Sequence, residues 1–111
     1  MKYLISLLII SSIAFAHPPS RIKADFNISE KTISIEVEHP VKSKDHFINA
    51  IEILLNGKSI IRQSSSEQLN DNVQKYLFLI PELKENDKVT IIAKCNKFGD
   101  MRREFVVQKQ E

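Results

Sequence analysis

The sequence predicts an all-β fold, an antiparallel sandwich of about seven short strands. Apolar and polar residues alternate with a period of two through most of the chain after residue 20, which is the pattern of half-buried strands. Turn-forming residues, among them four prolines and one Asn-Gly pair, separate these runs at short intervals. Beyond residue 16 we find no convincing helical pattern, which favours a protein built from strands alone.

The chain begins with a segment that is typical of secretory signal peptides. Lys2 precedes an apolar run over residues 3–15, and residues 14–16 form an A-x-A cleavage pattern. The apolar run is shorter than the roughly 20 residues of a membrane-spanning helix, which disfavours an uncleaved anchor. We therefore predict a signal peptide over residues 1–16, a periplasmic or secreted location, and no membrane span after cleavage. Residues 17–111 would then form one small domain.

Composition restricts the partners and the redox chemistry. The formal net charge is only +2 and no basic stripe stands out, which argues against nucleic acid as a partner. Cys95 is the single cysteine, so an internal disulfide is impossible. An unpaired cysteine in an exported protein is typical of a free thiol, an intermolecular bond or a metal ligand. A buried, inert side chain is the remaining alternative.

The first four strands follow from alternation and turn signals. Apolar residues occupy every second position of residues 22–28 and 32–38, and the polar turn between them predicts a hairpin. A third strand over residues 47–55 follows a proline turn. The pair Asn56-Gly57 then predicts a type I′ turn into a fourth strand over residues 58–63.

The last three strands follow a polar stretch over residues 64–72, which has no periodicity and is predicted to be a loop. They cover residues 74–80, 88–95 and 102–108. In the middle one, Cys95 continues the parity of the residues on the apolar face. About seven short strands with turns between them fit an antiparallel sandwich of immunoglobulin type.

The candidate site combines all three histidines with the only cysteine. His39 has the parity of the buried face of the second strand, and His46 follows after a proline turn. His39 and Cys95 both extend inward-facing strand positions beyond the core, and His17 precedes the first strand. Three imidazoles and one thiolate are a sufficient ligand set for a transition metal. We therefore predict His17, His39, His46 and Cys95 as metal ligands, with scattered surface histidines as the alternative.

Two segments resemble the iron-binding domain of the superoxide reductases, the desulfoferrodoxin and neelaredoxin family. They are H-P-V-K-S-K-D-H-F-I-N-A-I-E-I at residues 39–53 and C-N-K-F-G at residues 95–99. They are similar to the family motifs H-P-x(4)-H-[YH]-I-x-W-I-E and C-N-x-H-G, which that family carries on a seven-stranded immunoglobulin-like sandwich. The resemblance extends over most of residues 17–111, and its specificity lies in these two segments.

This resemblance implies ferrous iron, held by equatorial imidazoles and an axial thiolate, that reduces superoxide to peroxide. It implies His39 and His46 as equatorial ligands and Cys95 as the axial ligand, with His17 in place of the family's first histidine. Asn96 would order the turn around the sulfur. The protein encodes no second redox centre, so a reductase of this kind would need an external electron donor.

The chain departs from the family pattern at its ligands and around them. His39 and His46 are one residue further apart than in the family motif, Phe98 replaces the histidine of C-N-x-H-G, and Ala50 replaces the tryptophan. The family's Glu-Lys-His lead-in, with the lysine that steers superoxide, is also absent. With one imidazole fewer the metal preference changes, so copper and zinc are alternatives to iron.

Two other functions fit the same residues. An exported copper carrier would use an N-terminal histidine, because cleavage before His17 would let its amine and its imidazole bind one metal. A metal-free interaction domain is the other alternative, since the His-Pro turn and the Asn-Gly hairpin also resemble, more distantly, the immunoglobulin-like subunit of the thiosulfate-oxidation carrier. For a reductase, the substrate would be superoxide or another small anion, which the positive charge of Lys44 would attract.

Overall fold

The structure, a computed structural model, describes residues 17–109. These residues form seven strands: β1 (Arg21–Asn27), β2 (Thr32–Glu38), β3 (Ile48–Leu55), β4 (Lys58–Ser64), β5 (Val73–Leu79), β6 (Lys88–Cys95) and β7 (Asp100–Val106). All seven predicted strands are confirmed, and only their ends shift. None of the described residues form a helix long and apolar enough to cross a membrane. The predicted signal peptide lies outside the described residues.

The strands form two antiparallel sheets in a sandwich-like, all-β domain. One sheet has the order β1-β2-β5 and the other has the order β4-β3-β6-β7. Because successive side chains point to opposite faces of a sheet, buried apolar residues alternate along β2, along β3 from Ile51 onward, and along β6 from Val89 to Ala93. The buried apolar core consists of Ile22, Ile33, Ile35, Val37, Ile48, Ile51, Ile53, Leu55, Tyr76, Ile80, Leu83, Val89, Ile91, Ala93 and Val107.

The predicted hairpin turn between β3 and β4 has the required backbone. Asn56 and Gly57 both have positive φ, 50° and 88°, as a type I′ turn demands of its two central residues. The Asn56 side chain also contacts the start of β6: its amide donates to Asp87 Oδ1 at 3.0 Å, and the Lys88 N–H donates to Asn56 Oδ1 at 2.9 Å. This turn therefore fastens the hairpin to the neighbouring strand.

Asp87 is the buried carboxylate of that same end of the sandwich. It is 2% exposed and accepts hydrogen bonds from Asn56 Nδ2, Lys84 N and Lys84 Nζ. Burial raises the pKa of Asp87, but the hydrogen bonds from Asn56 and Lys84 together outweigh it, so that the pKa lies below the ordinary value of 3.8. The carboxylate is thus stabilised in its charged form by the fold.

We expect Asp87→Asn to lower the free energy of unfolding at pH 7 by about 1.5–3 kcal/mol, the range for hydrogen bonds to a charged group. Because the pKa of Asp87 is lowered on folding, its contribution is fully present above the unfolded value of 3.8. It is lost as the pH falls through the folded value. Urea unfolding at pH 7 and pH 3 should show the variant and the wild type converging in acid. Asp100→Asn, at an exposed carboxylate, is the control, and an equal effect of both substitutions would contradict this role.

Three chain segments meet at the opposite end of the sandwich. The chain leaves β2 at Glu38, and Ile48 at the start of β3 pairs with Cys95 at the end of β6. A register shift between Ile48 and Ala50 interrupts the ladder there. The antiparallel pairing of β3 with β6 therefore brings the residues just before β3 and those at the end of β6 together.

Candidate metal centre

His39, His46 and Cys95 converge at this end. One ligand atom from each residue, an imidazole nitrogen or the Cys95 Sγ, lies within 4.8 Å of those of the other two. The ring centroids of His39 and His46 are 4.6 Å apart with the rings at 90°, and His46 Nε2 lies 3.0 Å from Cys95 Sγ. Two imidazoles and a sulfur in this arrangement could bind a transition metal.

The three donors lie in a largely dry environment. His39 is fully buried, His46 is 6% exposed and Cys95 is half-buried. Burial, and then positive charge on the neighbouring His39 and His17, lower the pKa of His46. Both effects favour the neutral imidazole, which is the form that binds a metal.

His17 also lies at the cluster. Its ring centroid is 5.1 Å from that of His39 and 5.2 Å from that of His46, so the structure places the three histidine rings beside one another. The ring nitrogen Nδ1 of His17 lies 2.9 Å from the carbonyl oxygen of Pro18. The close group of donor atoms, however, consists of His39, His46 and Cys95. Ligation by His17 therefore remains a prediction.

The segment that carries His17 is fixed at two points. Ser20 donates from its backbone N–H and its hydroxyl to the carbonyl oxygen of Glu38, at 2.8 and 3.1 Å. Pro18 packs against Gly99, where an added Cβ would lie 3.4 Å from the Cβ of Pro18. Gly99 has φ +73°, a conformation that glycine adopts without cost. Glycine at position 99 therefore lets the turn after β6 pass close to the segment that carries His17.

The Asn96 side chain links the loop that carries His46 to the turn that follows Cys95. Its Oδ1 accepts from the Phe47 N–H at 2.9 Å, and its Nδ2 donates to the carbonyl oxygen of Asp45 at 2.7 Å. The N–H of Lys97 lies 3.4 Å from Cys95 Sγ and donates to it. The two hydrogen bonds of the Asn96 side chain thus lie on either side of His46 in sequence. They hold the His46 loop against the turn that follows Cys95.

We expect Asn96→Ala to weaken metal binding by about 10- to 100-fold, the range for groups that orient metal ligands. Both side-chain hydrogen bonds would be lost, which loosens the His46 loop against the Cys95 turn although the backbone bond from Asn96 N–H to the Phe47 carbonyl oxygen remains. Isothermal titration with zinc would measure the change. Lys97→Ala is the matched control in the same turn, because Lys97 forms only an exposed ion pair with Asp45 through its side chain. Wild-type affinity in Asn96→Ala would contradict this role.

Because the chain has three histidines, the cluster can contain at most three imidazoles. Phe98 is 52% exposed, and the sequence has no histidine beyond His17, His39 and His46. Lys44 lines a surface cavity of about 370 Å³ beside His46, but Glu67 and Asp71 line it as well. The positive charge of Lys44 is therefore offset within that cavity.

Sequence reasoning missed one residue of the site, Gln68. It belongs to the polar stretch predicted as a loop, and its Oε1 lies 2.8 Å from Nδ1 of His39. This contact joins residues 29 positions apart. No periodicity or motif in that stretch marks the glutamine, so the sequence offered no signal that could have found it.

Fold and site together define the class of protein: a sandwich-like all-β domain with a His39, His46 and Cys95 cluster that could bind a metal. No protein-family model matches the chain, and no curated protein or solved structure is significantly similar to it. The predicted resemblance to superoxide reductases is therefore untested by these comparisons and depends on the motifs at residues 39–53 and 95–99 alone.

Proposed function

We propose that this protein is an exported mononuclear iron protein that reduces superoxide to peroxide, as the superoxide reductases do. One observation carries the proposal: His39 and His46 from the β2–β3 connection and Cys95 from the end of β6 place their donor atoms within 4.8 Å of one another. These are the residues that the two family-like motifs contribute. A chance scatter of surface histidines would not be expected to give two buried rings beside the only thiol.

The strand arrangement supports an immunoglobulin-like sandwich. In the constant-type immunoglobulin arrangement the first, second and fifth strands share one sheet, and the third, sixth and seventh share the other. Strands β1, β2 and β5 and strands β3, β6 and β7 are divided in this way. The difference is β4, which pairs with β3 because the two-residue turn at Asn56-Gly57 returns the chain directly alongside it.

The donor set fits iron, and it also fits copper and zinc. His39 and His46 would hold the metal through imidazole nitrogens, and Cys95 would hold it through a thiolate that donates electron density and tunes the potential. We propose His17 as a further ligand, since its ring lies beside both other rings. Ferrous iron, when bound, would supply one electron, so that superoxide and two protons give hydrogen peroxide. An external donor would then return that electron.

Iron reconstitution tests the proposal. The purified protein, loaded with ferrous iron and then oxidised, is expected to show a thiolate-to-iron charge-transfer absorption and to consume superoxide in stopped-flow assays. Cys95→Ser should lose that absorption, whereas Thr90→Ser, a conservative change at a buried position of the same strand, should keep it. An unchanged absorption in Cys95→Ser, or no iron binding by the wild type, would refute the proposal.

Copper binding is the second candidate, and the position of the His17 ring favours it. If the signal peptide is cut before His17, the free amine becomes an additional donor beside the cluster. Mass spectrometry of the exported protein tests this, because any other first residue excludes that chelate. Copper tends to bind more tightly than ferrous iron in any such site. Superoxide consumption by the iron form therefore separates the two functions better than relative affinity does.

A further inference from the structure

The side-chain amide of Gln68 makes four polar contacts in the loop between β4 and β5. Its Nε2 donates to the carbonyl oxygens of His39 and Asn70, at 2.8 and 2.9 Å. Its Oε1 accepts from the Ile48 N–H at 3.1 Å and lies 2.8 Å from His39 Nδ1. This one side chain therefore contacts the end of β2, the start of β3 and its own loop.

These partners determine the orientation of the amide. Carbonyl oxygens only accept hydrogen bonds and a backbone N–H only donates. The NH₂ group must therefore face His39 O and Asn70 O, and the oxygen must face Ile48. A reversed amide would set its oxygen against two carbonyl oxygens and its NH₂ group against an N–H. The atom that Gln68 presents to the His39 ring is consequently an acceptor.

This acceptor competes with the carbonyl oxygen of His17 for the single hydrogen of a neutral His39 ring, and its contact, 2.8 Å from Nδ1 against 3.2 Å from Nε2, is the shorter one and favours hydrogen on Nδ1. A neutral imidazole has one N–H and one nitrogen lone pair. Because Oε1 of Gln68 accepts, Nδ1 of His39 carries the hydrogen, and the lone pair lies on Nε2. That nitrogen lies 3.2 Å from the carbonyl oxygen of His17. In the neutral ring each of these two atoms points a lone pair at the other, which is repulsive. A cation bound to Nε2 would remove this repulsion.

We propose that Gln68 is a positioning residue that holds His39 as its Nδ1–H tautomer, so that Nε2 is the nitrogen that binds the metal. Histidine ligands commonly donate their second ring N–H to a carbonyl or carboxylate oxygen, which fixes the ring and raises its basicity as a ligand. Here a side-chain amide from a separate loop supplies that oxygen. The inference rests on the proposed metal site and adds the group that selects the binding nitrogen.

Two substitutions separate this role from a merely structural one. Gln68→Met keeps the length of the side chain but removes all four contacts. Gln68→Glu keeps an acceptor for His39 Nδ1 and loses the two donated bonds. Gln63→Met, at an exposed glutamine of β4, is the matched control. If Gln68 selects the tautomer, Gln68→Glu rescues His39 although it loses the two bonds donated to the carbonyl oxygens of His39 and Asn70, as Gln68→Met does.

The first measurement is made on the metal-free protein. Nitrogen-15 chemical shifts of the His39 ring, recorded where the ring is neutral, are expected to show the Nδ1–H tautomer in the wild type, in Gln68→Glu and in Gln63→Met. Gln68→Met should shift the population towards the Nε2–H tautomer. An unchanged tautomer in Gln68→Met would overturn the proposal.

The second measurement is cobalt(II) titration, followed by the visible absorption of the cobalt-thiolate complex. Gln68→Met is expected to lower the affinity by about 10- to 100-fold, and Gln68→Glu should stay near the wild type. Equal losses in both variants would assign Gln68 a structural role and overturn the proposal. Failure of the wild type to bind cobalt would refute the metal site itself, whereas normal binding with an unchanged tautomer would refute the role of Gln68 alone.

Discussion

Binding of a transition metal is expected to raise the free energy of unfolding by about 2.7 kcal/mol when the free metal is at 100 times its Kd. His39 and His46 lie in the connection between β2 and β3, and Cys95 lies 49 positions beyond His46, so the unfolded chain does not hold the two imidazoles beside the thiol. Metal therefore binds the folded state preferentially. In a domain of this size, 1 kcal/mol shifts the unfolding temperature by about 4–8 °C, which makes the effect large.

Cys95→Ser is expected to remove most of this stabilisation. A serine hydroxyl stays protonated and is a poor ligand, whereas a thiolate binds iron, copper and zinc strongly. Thermal unfolding followed by circular dichroism, with metal and then with excess chelator, would measure the loss. Thr90→Ser should retain the full metal-induced shift. If Cys95→Ser and the wild type gain the same stability from metal, Cys95 is not a ligand.

Leu83→Ala is expected to destabilise the fold by about 3–5 kcal/mol, as large-to-small changes in well-packed cores do. Leu83 lies after β5 and is fully buried. Its N–H donates to the carbonyl oxygen of Ile80 at 3.0 Å, and its carbonyl oxygen accepts from Lys31 Nζ at 2.7 Å. With the backbone held in this way, the loop cannot readily collapse into the cavity that the substitution leaves.

Leu77→Ala is the matched control for that loss. It makes the same chemical change in β5, where Leu77 is 70% exposed, and surface substitutions of this kind usually stay within about 0.5 kcal/mol. Urea unfolding monitored by circular dichroism would compare both variants with the wild type. Similar losses at Leu83 and Leu77 would contradict the placement of Leu83 in the core.

Most strands could be predicted because one face is more buried than the other, so that apolar and polar residues alternate along the sequence, whereas β4 was predicted from the turn before it. The same parity placed His39 and Cys95 at inward-facing positions, and the structure brings them together with His46. The turn at Asn56-Gly57 was predictable because few residue pairs adopt positive φ at both positions. The local sequence was thus sufficient to predict the strands and the two site residues, His39 and Cys95, that continue the buried faces of strands.

The contacts made by loops could not be predicted in this way. Gln68 reaches His39 across 29 positions from a stretch without periodicity, and its role depends on how two sheets and a loop pack. The position of His17 likewise depends on Ser20 bonding to Glu38 and on Pro18 packing against Gly99. Such contacts follow from tertiary packing and leave no repeating pattern along the chain.

The single cysteine allows the metal occupancy of the site to be measured by chemical labelling. Cys95 is half-buried, not enclosed, and the chain has no other thiol. A thiol-alkylating reagent would therefore label one atom of the protein, and only while no metal protects that sulfur. The extent of labelling of the purified protein would therefore give the fraction of sites that hold no metal, even for a metal that has no colour.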